Sequence, residues 1–242
     1  MSDRAIDREK DAVRQRVWDA LRAEGAAPPD VHGHIPSFFG ADEAASRLVA
    51  LDAWREAAVV KANPDTAQLP VRIAALHDGK LLYMAVPKLA TVAPFYLLDP
   101  TRLTAPADVI ATSSGAAARA ERIGLAQMQP VDLIVCGSVA VNRAGVRVGK
   151  GAGYSDIEVA LLAQAGLIGP QTTIITTVHE LQVVGEGLPE TEHDFSVDLI
   201  VTPRRTIACG PSRRPAGIIR EHLTDAKIAD IPVLMQYATR EH

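Results

Sequence analysis

Arg147-Val-Gly149-Lys150-Gly151-Ala-Gly153-Tyr154-Ser155-Asp156 stands at the end of a long apolar run and at the start of a helical pattern. That order, strand then glycine loop then helix, is the repeating unit of an α/β protein. The glycines let the backbone turn tightly and expose several N–H groups together. Arg147 precedes the loop and Lys150 lies inside it. Ser155 and Glu158 have the spacing of a capping box, which predicts a helix from Asp156. Free N–H groups at a helix start, glycine backbone and two cations suit a phosphate or carboxylate. Tyr154 adds a flat face or a hydroxyl, and Asp156 an oxygen ligand for a hard cation such as Mg²⁺. The loop is not Walker A, because the lysine follows the first glycine and Tyr154 closes the loop. Nor is it the dinucleotide fingerprint, since the third glycine falls one place early and no acid ends a strand about 20 residues on. A glycine-rich turn before a well-capped helix, with Asp156 complementing the helix dipole, accounts for the same residues without a ligand.

The 242 residues leave room for one large α/β domain, taken to span 1–242. Hydrophobic residues make up 48% and aromatics only 4%, so the core must be aliphatic. With 25 basic and 29 acidic residues the net charge is −4, which offers no general attraction to nucleic acid or an anionic membrane. Any polyanion must therefore meet local basic residues. Cys136 and Cys209 lack metal-site spacing and suggest inert thiols in a reducing compartment. The N-terminus is charged and helical rather than apolar, and no apolar run approaches the ~20 residues of a membrane span. A soluble, cytoplasmic protein without membrane or nucleic-acid partners is expected, as a monomer or small homo-oligomer.

Residues 7–24 read as a helix with Val17 and Leu21 on one stripe. Lys10 and Arg14 continue that stripe toward the N-terminus, so two cations point the way of the buried face; snorkelling side chains would give the same pattern. Residues 26–40 form a loop in which His32 and His34 have no metal-site partner. A second helix is expected over 42–57, a buried strand over 58–62, a helix from Pro70 to Gly79 and a strand over 81–86. Residues 95–98 suggest a short strand, and 104–124 a helix in its second half. Val131-Asp-Leu-Ile-Val-Cys136 is the strongest strand pattern, followed by 172–177 and 198–202. Residues 204–214 read as a basic loop that could supply a phosphate contact. Strands alternating with helices predict a mainly parallel sheet covered by helices.

The loop Arg147-x-Gly-x-Gly-x-Gly-Tyr154-x-Asp156 resembles the signature of the 5-formyltetrahydrofolate cyclo-ligases, or methenyltetrahydrofolate synthetases. Lys10-x-x-Val-Arg14 looks like that family's N-terminal motif, and His193-Asp194-x-x-Val-Asp198-x-Ile-Val-Thr202-Pro203 like its C-terminal segment. Val17-Trp18-Asp19, His34-Ile35-Pro36-x-Phe38, Val60-Lys61-x-Asn63-Pro64-Asp65 and Val135-x-Gly137-Ser138-Val139-Ala140-Val141 are similar to the methenyltetrahydrofolate synthase domain-containing branch. In vertebrates that branch carries an added RNA-binding module. This chain runs only about 40 residues past Pro203, so no such module is expected. The resemblance implies a three-layer α/β/α fold with a mainly parallel sheet, related to that of certain isomerases and CoA-transferases.

The reaction so implied is ATP- and Mg²⁺-dependent cyclisation of 5-formyltetrahydrofolate to 5,10-methenyltetrahydrofolate. The formyl oxygen attacks the γ-phosphorus, N10 closes on the activated carbon, and phosphate leaves. By resemblance Lys10, Arg14, Arg147, Lys150 and the backbone of Gly149, Gly151 and Gly153 hold ATP. Tyr154 packs near the reacting substrate, and Lys150 and Tyr154 are the catalytic candidates. Asp156 and Asp194 hold one shared Mg²⁺. Two positions depart from the pattern. Ser155 replaces the second of two tyrosines, and Asp65 falls where a pterin-binding glutamate is expected. A ligand-binding or regulatory paralogue without the reaction is the alternative.

Overall fold

The computed structural model describes residues 3–210 and 212–237. The helices are α1 (Asp3–Ala23), α2 (Ala41–Val49), α3 (Asp52–Glu56), α4 (Leu69–His77), α5 (Ala107–Ile110), α6 (Ser113–Arg119), α7 (Tyr154–Gln164), α8 (Asp225–Asp230) and α9 (Pro232–Tyr237). The strands of the main sheet are β1 (Val59–Ala62), β2 (Leu81–Ala85), β3 (Phe95–Leu98), β4 (Glu121–Ile123), β5 (Leu133–Cys136), β8 (Thr173–Thr177), β10 (Leu199–Val201) and β11 (Thr206–Ala208). A small second sheet holds β6 (Ala140–Asn142), β7 (Arg147–Val148) and β9 (Val183–Val184).

The main sheet runs β11-β10-β8-β5-β1-β2-β3-β4. Its centre, from β10 to β2, is parallel, and β11, β3 and β4 join antiparallel at the edges. Helices cover both faces, as the strand-helix alternation requires. Strand periodicity sorts the core: Leu133 and Val135 pack toward α4, while Ile134 and Cys136 pack toward α7. The central strands are buried on both faces, which is why they read as continuous apolar runs. The third apolar cluster joins α1 to the small sheet through Val13, Val17, Trp18 and Leu21 against Val139, Ala140 and Val148.

Several expectations change. The helix expected over 42–57 is two helices, because Leu51 is extended (φ −77°, ψ 150°). The stretch after Gly115 ends early, and residues 121–123 form edge strand β4 on β3. The basic stretch 204–214 contributes β11 instead of being loop throughout. Finally, α7 begins at Tyr154, capped by Gly153 in the left-handed region (φ 70°), with no side-chain cap. The capping box does not form, since Ser155 is already inside the helix. Its hydroxyl accepts from Asn63 Nδ2 at 3.2 Å, and Glu158 is drawn to a buried lysine instead.

Candidate functional site

The parallel strands end along one edge of the sheet, and the site is built there, where open α/β sheets bind ligands. Gly137 follows β5 at that edge. A β-carbon on it would lie 2.6 Å from Ile35 Cγ2 and 3.3 Å from Asp65 Oδ2, so three segments meet over a residue that must be glycine. The glycine loop spans β7 to α7. Gly151 has φ 99°, and a β-carbon there would only touch the Arg14 guanidinium, at 3.4 Å. The left-handed backbone, rather than packing, selects glycine here.

The stripe read on α1 carries its two cations into this site. Lys10 and Arg14 are buried. Arg14 Nε donates to the Gly149 carbonyl at 2.7 Å. Lys10 Nζ donates to Asp194 at 2.5 Å. Arg147 is buried beneath the loop and donates to Asp156 at 3.0 Å, the Gly137 carbonyl at 3.2 Å and Ser138 at 3.4 Å. These commitments tie Asp156 at the start of α7 to the segment after β5. Lys150 points outward, 40% exposed, with Nζ 3.5 Å from Asp65. Tyr154 lies under Lys227, whose Nζ is 3.6 Å from the ring centroid, and this leaves its flat face covered on that side.

Asp156 and Asp194 respond to their surroundings in opposite directions. Burial raises the Asp156 pKa against the pull of Arg147, and the nearby charge of Asp194 raises it further. Burial also acts to raise Asp194, but the hydrogen bonds from Lys10 and the Thr191 amide outweigh it and hold the carboxyl below its ordinary value. Each carboxylate meets its partners through one oxygen, Oδ1 of Asp156 and Oδ2 of Asp194. Among the described residues, no group of three or more His, Cys, Asp or Glu could hold a metal alone. Two carboxylates with an oxygen each to spare do fit Mg²⁺, provided that phosphate oxygens and water complete its shell. Each of the four basic residues that the loop and α1 motifs supply also faces a carboxylate: Lys10 with Asp194, Arg14 with Asp11, Arg147 with Asp156, Lys150 with Asp65. A triphosphate arriving without a cation would have to compete with all of them.

A cavity of about 350 Å³ opens between the glycine loop and the segments after β1 and β2. Asn63, Asp65 and Lys88 line one side, and Lys150, Tyr154 and Ser155 the other. Its floor holds a polar network that the loop motif did not reveal. Lys61 of β1, 0% exposed, bonds to Asn63 at 2.7 Å and to Glu158 of α7. A lysine inside the apolar run Val59-Val60-Lys61-Ala62 was the visible signal. The histidines of the first loop are elsewhere: His32 bonds to Asp19 at 3.0 Å, and the His34 carbonyl accepts from Trp18. Burial raises the pKa of both thiols, that of Cys209 to about 11. Among the described residues no helix is long and apolar enough to cross a membrane.

The chain is 38% identical over 240 residues to a methenyltetrahydrofolate synthase domain-containing protein of Mus musculus, covering 96% of this chain and 64% of that protein. The Homo sapiens protein of that name is 36% identical over 249 residues, again with 64% of its length matched. The chain thus spans about 64% of the length of these relatives. Its fold is similar to the NMR structure of Aquifex aeolicus 5,10-methenyltetrahydrofolate synthetase, with a TM-score of 0.53, 20% identity, and 88% of this chain and 97% of that one covered. Residues 6–203, which include the α1 cations, the glycine loop and Asp194, match the 5-formyltetrahydrofolate cyclo-ligase family, and the chain belongs to it.

Proposed function

We propose that the chain catalyses ATP- and Mg²⁺-dependent cyclisation of 5-formyltetrahydrofolate. The observation that carries this reading is the junction of the glycine loop with the 350 Å³ cavity. A triphosphate on the loop and a pterin ring in the cavity would meet beside Tyr154 and Lys150. Arg14 fixes the loop through Gly149, Arg147 fixes Asp156, and Lys150 is free to leave Asp65 for a phosphate oxygen. Bound Mg²⁺, held by Asp156 and Asp194, would neutralise charge on the transferred phosphoryl group. Positioning and electrostatics then supply the catalysis, and no side-chain nucleophile is needed.

A second reading is favoured by one contact. The Lys150–Asp65 pair links the loop to the opposite wall of the cavity, as in a paralogue that binds nucleotide without reacting. Purified protein, Mg²⁺, ATP and 5-formyltetrahydrofolate decide between them through the absorbance of the methenyl product. Product formation, reduced on the order of tenfold or more in Lys150→Ala by loss of a charge-assisted contact, is expected. Nucleotide binding without product would establish the second reading.

A further inference from the structure

The floor of the 350 Å³ cavity carries a charge pair that phosphoryl transfer does not use. Glu158 lines the cavity, whereas Lys61 lies behind it, fully buried in β1. One Glu158 oxygen, Oε2, accepts from the Lys61 ammonium. Among the described residues, the buried side-chain atoms left without a hydrogen bond are Gln68 Oε1 and Arg214 Nε. Glu158 Oε1 has no partner within the protein and is not one of these sealed atoms, so it opens on the cavity. Ser155 and Glu158 stand three residues apart on α7 and share its face toward the cavity. Asn63 ties the floor together: its Oδ1 accepts from Lys61 at 2.7 Å, and its Nδ2 donates to Ser155 Oγ at 3.2 Å. Asp65, by contrast, is turned to Lys150, 3.5 Å away.

We propose that Glu158 selects the ring of the ligand: its free oxygen accepts a hydrogen bond from the N–H edge of a 2-amino-4-oxopyrimidine, the edge that a pterin presents. This role rests on the folate reading of the cavity and deepens it. A carboxylate oxygen is a strong acceptor, and an N–H group is the partner that suits it. Lys61 already balances the charge, so a neutral N–H satisfies the oxygen and leaves the buried ammonium paired. Lys61, Asn63 and the packing of α7 on β1 hold the carboxylate in one orientation, which fixes where the ring edge must lie. A ring without the 2-amino group would cover that acceptor and give it nothing, which is how a polar site rejects an analogue. Guanine carries the same edge and is the other source of this chemistry.

Calorimetric titration of the full chain with 5-formyltetrahydrofolate and with its 2-deamino analogue isolates the contact. The wild type should bind the parent on the order of tenfold more tightly than the analogue, or better. The double variant Lys61→Met/Glu158→Leu removes the carboxylate together with its counter-charge and should bind the two ligands alike. Glu158→Gln keeps the shape of the side chain without its charge and should narrow the preference, which tests the contact even where the double variant does not fold. Asp65→Asn should leave the preference in place. Equal wild-type affinity for the two ligands, a preference that survives undiminished in the Glu158 variants, or one abolished by Asp65→Asn overturns the role of Glu158 and leaves the folate reading standing. Guanosine and inosine differ by the same amine and form the second arm. Binding of guanosine over inosine, without binding of 5-formyltetrahydrofolate, keeps the Glu158 contact and overturns the folate reading. Binding of neither 5-formyltetrahydrofolate nor guanosine by the wild type overturns both.

Discussion

Lys61 carries an ammonium into the interior of the sheet, and only its partners make that tolerable. Glu158, 5% exposed, supplies the opposite charge, and Asn63 a further acceptor. Removing one member leaves the other buried and uncompensated, at a cost of ~3–5 kcal/mol, whereas replacing both with apolar residues of similar size can be nearly neutral. Lys61→Met and Glu158→Leu should each lower stability in urea unfolding, and the double variant should lose clearly less than their sum. Strict additivity would show that the pair is not coupled. Asp194 offers a pH-dependent counterpart. Its folded pKa lies below the ordinary 3.8, so its contribution is complete above that value and is lost as pH falls through the folded one. Asp194→Asn should therefore destabilise the protein at neutral pH, and the gap to wild type should close in denaturant titrations below about pH 3.8. A gap independent of pH would assign the loss to packing. The apolar pattern places Lys61 in a buried strand without revealing its partner, because Glu158 becomes its neighbour only when α7 packs on β1.

The loop after β2 holds two non-glycine residues in the left-handed region, Lys88 at φ 59° and Leu89 at φ 53°. Leu89 is fully buried, so core packing holds the loop in that shape, and Lys88 is set on the rim of the cavity. Such conformations cost roughly 1–2 kcal/mol per residue and collect near functional sites. Lys88→Gly should raise stability by up to about 1 kcal/mol, part of the relief being offset by glycine's freedom in the unfolded chain. Thermal unfolding measures it, and a lower midpoint would mean that the side chain contributes more than the strain costs. Nothing in Val86-Pro-Lys88-Leu89 announced this conformation, which tertiary packing imposes. Strands of two residues were equally hidden. A segment as short as β7 or β9 shows no alternation, and its pairing depends on chain far away. Longer elements were readable for the opposite reason: α1 repeats its stripe over about three turns, and each buried position of it, from Lys10 to Leu21, is occupied as the periodicity demands.

The parallel centre of the sheet was legible because burial on both faces leaves an apolar run in every strand. The outermost strands β4 and β11 were not, since each is only three residues long and largely exposed. The candidate anion site was legible as a motif, and the pairing of its cations only in part: Asp11 lies on the same helix as Arg14, whereas Asp65 and Asp194 reach Lys150 and Lys10 from segments far away in sequence. The pairing of Lys10 with Asp194 has a temporal consequence. The two residues are 184 positions apart, so α1 leaves the ribosome long before its partner exists. At synthesis rates of about 5–20 residues per second, the delay is roughly ten to forty seconds. During that interval a nascent helix displays Lys10 and Arg14 beside an uncovered apolar stripe. The glycine-loop site is therefore among the last parts of the chain to assemble, and any truncation during translation before Asp194 releases a product that cannot complete it.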